Sequence, residues 1–292
     1  MHINGLKELI NLRGGIDTIK REDLRATITW YVSISASTKL QATLLNRIRV
    51  DLCGSYCQDV VPNFPPPPTW NLYEEPYNKH PPDSKNSSLL TAAFNQQMYH
   101  HPEIIRIFND LRTCTSLTAS ESKSLGSDYW LKSTFAPHGA WTNVMIHRLL
   151  TLRPLSVVST QEAVIAEVCR IGGLLYISPI WRKYGAGPAQ TADLRRHLMA
   201  TLDAYVVDWG ELRPLLLWTM FLGCLEAAVE DERDWFLFRI AKLMGSLDMK
   251  WVDYVEAVKT VMWLDDVFAG TEDVIRAEIE DFLFRVSKVS LA

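Results

Sequence analysis

The stretch STQEAVIAEVCRIGGLLY, Ser159–Tyr176, sets the period on which the chain is read. Ile165, Val168, Cys169, Gly172, Leu175 and Tyr176 recur in steps of three and four, which puts them on one stripe of an α-helix. Ser159 followed by Glu162 has the form of a capping box, two side chains that answer the unpaired N–H groups of a helix start. The helical period returns at Val255, Val258 and Met262, and again at Ile275, Ile279, Phe282, Leu283 and Val286. Thr271 stands where it would cap that last helix, with Glu272 and Asp273 against its positive N-terminal end. Pro214 opens a helix after Trp209-Gly210, and Arg233–Leu247 forms one rich in aromatics. No segment alternates with the period of two that a half-buried strand requires. The predicted fold is all-α, an irregular array of roughly eight to ten helices, without a sheet of note or a repeat of roughly 20–50 residues.

Composition narrows the function classes. The chain has 292 residues, 48% hydrophobic and 22% charged, enough to bury a full core as one large domain or two small ones. A net charge of −4 argues against a protein-wide nucleic-acid surface. Five scattered cysteines (Cys53, Cys57, Cys114, Cys169, Cys224) and a start without a basic flank and apolar run point to a reducing compartment, cytosol or nucleus. The longest apolar run, LLLWTMFLGCL at Leu215–Leu225, falls short of the roughly 18–20 residues that span a bilayer and reads as a buried helix.

Eight of the 14 prolines lie between Pro62 and Pro82. Each fixes φ and removes a donor, so neither helix nor sheet runs through PNFPPPPTWNLYEEPYNKHPP. Residues 1–61 are thus an N-terminal helical part, 62–86 a Pro-rich strap or loop, and 87–292 the main helical region. Pro65–Pro68 could serve a polyproline-binding module, but Trp70, Leu72 and Tyr73 follow at once and favour a strap lying on the surface.

Several side chains could carry chemistry, and each also has a plain packing role. Asp265-Asp266-Val267-Phe268 suggests the aspartate pair of a class I terpene cyclase, but Mg²⁺ would need a further carboxylate one turn on, and positions 269 and 270 are Ala and Gly. A solvated helix end stopped by Gly270 is the simpler reading. Cys53 and Cys57 share a helical face without the two further ligands of a structural zinc site, and read as small buried side chains. His100-His101 precedes Pro102 and suits a turn; His138 and His147 lack an evident carboxylate or serine partner. Gly172-Gly173 inside a helix marks close helix packing. Arg182-Lys183 and Arg195-Arg196-His197 read as solvated helix edges. Trp209, Trp218, Trp235, Trp251 and Trp263 read as core. No residue is assigned a catalytic, cofactor-binding, metal-binding or DNA-binding role.

Several blocks carry a family resemblance. HINGLKELINLRGG (His2–Gly15) followed by LRATITW (Leu24–Trp30), then VDLCGS (Val50–Ser55) with PNFPPP, resembles the fungal-specific transcription factor domain, the regulatory region downstream of six-cysteine binuclear zinc-cluster modules. PLLLWTMFLGCLEA (Pro214–Ala227), DWFLFRIAKL (Asp234–Leu243) and the run from Trp251 to Phe268 resemble its later helices. The resemblance implies an all-helical, non-enzymatic regulatory domain in the nucleus, or in the cytoplasm if an import signal lay upstream. It would act through protein partners of the transcription machinery, a paralogous factor or a small effector, with no cofactor, direct DNA contact or membrane. The six-cysteine cluster is missing here. His2–Gly15, with Asn4 as cap, makes a helix of about two and a half turns, marginal by itself, so the first residues read like the middle of a larger factor.

Val32–Arg49 separates Trp30 from VDLCGS, which lie almost adjacent in similar sequences. Two readings stay open. One is a translated intron, since Val-Ser can be encoded by the fungal splice signal GTAAGT. The other is an extra helix, Thr38–Ile48, with Leu40, Leu44, Leu45 and Ile48 on one face. The competing functions are an all-α terpene-cyclase-like enzyme and a helical scaffold unrelated to transcription.

Overall fold

The computed structural model describes residues 41–66, 89–125, 140–152, 160–183 and 190–289. These form an all-α array without a strand. In chain order the helices are α1 Gln41–Gln58, α2 Leu89–Gln97, α3 Pro102–Leu125, α4 Ala140–Thr151, α5 Gln161–Lys183 and α6 Ala192–Ala204. A 3₁₀ turn, Gly210–Leu212, leads into α7 Arg213–Glu226, followed by α8 Glu230–Ser246, α9 Trp251–Val261, the single turn α10 Asp265–Phe268, and α11 Thr271–Val289.

Helix α5 is the axis of the molecule. It touches α3, α4, α6, α7 and α10, and every residue from Val164 to Ser178 is buried. The sequence expectation of one apolar stripe is therefore too narrow. A helix apolar on all sides belongs at the centre of a core, where each face meets another element. By length and composition α5 could cross a membrane, yet here 89% of its most apolar window is buried in the protein. Its cap is one residue later than expected: Thr160 Oγ1 accepts the Ala163 N–H at 3.2 Å, while Ser159 lies outside the described residues.

The two glycines of α5 set its closest approaches. A Cβ at Gly172 would stand 2.7 Å from Thr219 Oγ1 and 2.8 Å from Trp218 Cζ3 of α7. One at Gly173 would meet Leu149 Cδ1 of α4 at 3.1 Å. Close helix packing is thus the role of this pair. Helix α7 is gripped from its other sides by α8, α9 and α11. A Cβ at Gly223 would fall 2.4 Å from the Phe236 ring of α8, and Trp218 Nε1 donates to the Met262 carbonyl at 3.0 Å.

Other expectations resolve in detail. Pro214 lies in the first turn of α7, where its missing N–H would be unpaired anyway. Thr271 opens α11, but its hydroxyl donates back to the Phe268 carbonyl at 2.7 Å instead of capping an N–H. On α11, Ile275, Ile279 and Phe282 are buried, whereas Leu283 is half exposed and the side chain of Val286 is outside the described set. Helix α1 runs unbroken across the Arg49–Val50 junction, with Ile48 and Leu52 in the core, and packs on α4 and α6. Thr38–Leu40, and most of the strap at 62–86, lie outside the described residues; Pro62–Pro66 lie within them.

Candidate functional site

The most concentrated buried chemistry joins α1, α5 and α6. Helix α1 ends at Gln58, and Asp59 follows with a left-handed φ of 50°, a conformation its short polar side chain tolerates. That turn points its carboxylate back at α5. Arg170, with no exposed side-chain surface, donates Nη1 to Asp59 Oδ1 at 2.8 Å and Nη2 to Asp59 Oδ2 at 3.0 Å. The same guanidinium donates Nε to Glu167 Oε2 at 2.8 Å and Nη2 to Glu167 Oε1 at 2.7 Å. Burial alone would lower the Arg170 pKa, but the bonds to Glu167 and Asp59 outweigh it and hold the cation firmly charged. His197 of α6 closes the group: Nδ1 donates to Asp59 Oδ2 at 2.8 Å, and Nε2 lies 3.5 Å from Glu167 Oε1.

Asp59, Glu167 and His197 also form a triad whose ligand atoms lie within 4.8 Å of one another, the spacing a metal ion would need. The guanidinium of Arg170, however, donates to all four carboxylate oxygens and supplies the positive charge a cation would bring. The donor set is that of a structural clamp, and it does not fit a metal.

A second polar knot ties the end of α5 to α6, α7 and α8. Glu226 is buried and accepts from Ser178 Oγ at 2.9 Å, from Arg182 Nη1 at 2.7 Å and from Thr191 Oγ1 at 3.3 Å, with Arg182 Nη2 on its other oxygen. Arg195 donates to Thr191 at 2.5 Å and to Glu232 at 2.8 Å. Tyr56, fully buried, donates to the Leu174 carbonyl at 2.9 Å; burial pushes its hydroxyl well above the usual phenol range.

These knots correct the solvated-edge reading of Arg195 and His197, which reach inward to Glu232 and Asp59; Arg182, Lys183 and Arg196 are exposed as expected, although Arg182 also pairs with the buried Glu226. Asp59, Glu167 and Arg170 do not stand out as a group in the sequence. Their one local signal is Glu167 and Arg170 three apart in an otherwise apolar helix.

The remaining candidates separate. Asp265 and Asp266 are exposed at the start of α10, Asp265 accepting from Trp263 Nε1 at 3.0 Å and Asp266 from Ser122. Gly270 ends the turn with φ 86°, as a stop requires. His101 takes part in the turn before α3, its carbonyl accepting the Ile104 N–H at 3.1 Å. His147 is buried on α4 with Nε2 3.2 Å from the Phe64 carbonyl, and His138 lies outside the described residues. Trp209 and Trp218 are core, while Trp235, Trp251 and Trp263 lie at its edge. Cys53 and Cys57 are only partly buried, in contrast to Cys114, Cys169 and Cys224.

Compared with known proteins, the chain matches no family model, no curated protein and no solved structure.

Proposed function

We propose that the chain is a regulatory, non-DNA-contacting domain of the kind found in fungal zinc-cluster transcription factors, acting through protein or effector contacts. The observation that carries the reading is where the described resembling blocks lie. VDLCGS is in α1, PLLLWTMFLGCLEA spans α7, DWFLFRIAKL lies in α8, and the run from Trp251 to Phe268 covers α9 and α10. Helices α7, α8 and α9 interlock around Gly223, Phe236, Trp218 and Met262. The blocks are therefore a packing pattern, which suits a domain whose output is its folded surface.

The test is to fuse the full chain to a heterologous DNA-binding module and read a reporter gene. The expected outcome is activation or repression relative to the DNA-binding module alone at equal expression. A fusion carrying Gly223→Leu, which the Phe236 ring leaves no room for, should lose that output. A reporter unmoved by the wild-type fusion would remove the regulatory reading and leave a scaffold.

A further inference from the structure

Helix α1 carries two thiols one turn apart, Cys53 and Cys57, both partly exposed. The other three cysteines are sealed, at 0–1% exposure for Cys114, Cys169 and Cys224. Spaced i and i+4, the two side chains share one face of α1 and pack at the edge of the core. The face therefore offers two partly exposed thiols one helical turn apart.

We propose that Cys53 and Cys57 form a chelating site for trivalent, thiophilic arsenicals. The spacing selects this class. Cβ atoms one helical turn apart are about 5–6 Å from each other, whereas a disulfide needs about 3.8 Å, so direct S–S bonding would require unwinding α1. A bridging arsenic atom lengthens the link and suits the helical separation. Zinc would need two further ligands, and the cluster of candidate ligand side chains among the described residues, Asp59, Glu167 and His197, includes neither cysteine.

The reaction balances without an oxidant. An organoarsenic(III) oxide, R–As=O, takes two S–H groups; two As–S bonds form, and the arsenic oxygen leaves as water with both protons. Arsenic stays trivalent and both sulfurs stay at the thiol oxidation level. The first attack falls to Cys57, whose thiol is lowered to about 7 by the neighbouring Cys53 thiol, against the opposing effect of burial, with help from the Gln190 backbone N–H. Burial pushes Cys169 up and Cys224 up to about 12, which keeps both as inert thiols.

The proposal is independent of the regulatory reading, and its test reads mass, not transcription. The native, reduced full-length chain is treated with one equivalent of phenylarsine oxide and examined by intact mass and peptide mapping. One arsenical per chain is expected, bridging Cys53 and Cys57, surviving excess 2-mercaptoethanol and released by 2,3-dimercaptopropanol. Cys53→Ser and Cys57→Ser should each yield adducts that the monothiol strips. An unmodified native chain, an adduct on Cys114, Cys169 or Cys224, or a monothiol-resistant adduct in either variant would overturn the site. Circular dichroism checks that the variants are folded; if a variant is not, the mapped bridge in the wild-type chain decides alone.

Discussion

Helix α5 is held on two of its faces by opposite kinds of physics. Toward α1 and α6 the seam is ionic, with Arg170 between Asp59 and Glu167 and His197 at the rim. Along the middle of α7 the seam is apolar and steric, with Gly172 set against Trp218 and Thr219, and it turns polar at the end of α5, where Ser178 and Arg182 meet Glu226. The ionic seam is directional: the two bonds from Arg170 to Asp59 fix the end of α1 against α5 to within hydrogen-bond tolerance, while Glu167 orients the guanidinium from its own helix. The steric seam is permissive in direction and strict in volume, because it excludes any side chain at one position. Errors in the first leave a bare charge. Errors in the second produce a bump that neighbours can partly absorb.

Removing the cation should therefore have the largest effect. Arg170→Met fills similar volume but leaves Asp59 and Glu167 buried without their counter-charge, a change that costs about 3–5 kcal/mol. Urea unfolding followed by circular dichroism should show the midpoint falling accordingly. A loss below about 1 kcal/mol would mean that the carboxylates protonate or reach water, and that the ionic seam adds register without stability.

The two seams differ as much in legibility as in energy. The apolar one is visible in sequence because its parts are local: a helical period, a glycine pair inside it, and a run such as LLLWTMFLGCL. The ionic one joins residues 111 and 138 positions apart, and nothing near Asp59 announces a partner. Arg195 and His197 look like a surface edge because a charged triplet on a helix usually is one; only the placement of α1 and α8 turns two of them inward. The burial of α5 on every side escaped for a related reason. A one-sided stripe is the minimum a periodic pattern shows, and the number of neighbours is a tertiary fact.

Crowding at the steric seam should cost less than the lost cation, and a matched control isolates it. Gly172→Ala gains about 1 kcal/mol of helix propensity but meets Thr219 Oγ1 and Trp218, each anchored by its own hydrogen bond, so overpacking of about 1–3 kcal/mol wins and the net is a loss on the order of 1 kcal/mol. Gly245→Ala in α8 meets nothing within 4 Å and should raise the thermal midpoint by the propensity gain alone. If both substitutions stabilise, the α5–α7 approach is looser than the Gly172 geometry requires.

The smallest effect asks whether the ionic side of the molecule also carries a pH response, and His147 is the group that should report it. This side chain is buried on α4, and burial lowers its pKa against the opposing pull of the Phe64 carbonyl and of Asp51 on α1. A lowered histidine is neutral in the folded chain over a range where the unfolded chain, near 6.5, already binds a proton. The unfolded state then holds more protons, so stability rises with pH across that window. His147 thus contributes fully above about pH 6.5, and its contribution is lost as pH falls toward the folded value. Urea midpoints measured from pH 7.5 down to 5.5 should fall, and His147→Gln, whose amide can still donate to the Phe64 carbonyl, should flatten part of that slope. A slope that the substitution leaves unchanged would place the titrating group elsewhere, and the α1–α4 contact would then be insensitive to protons in this range.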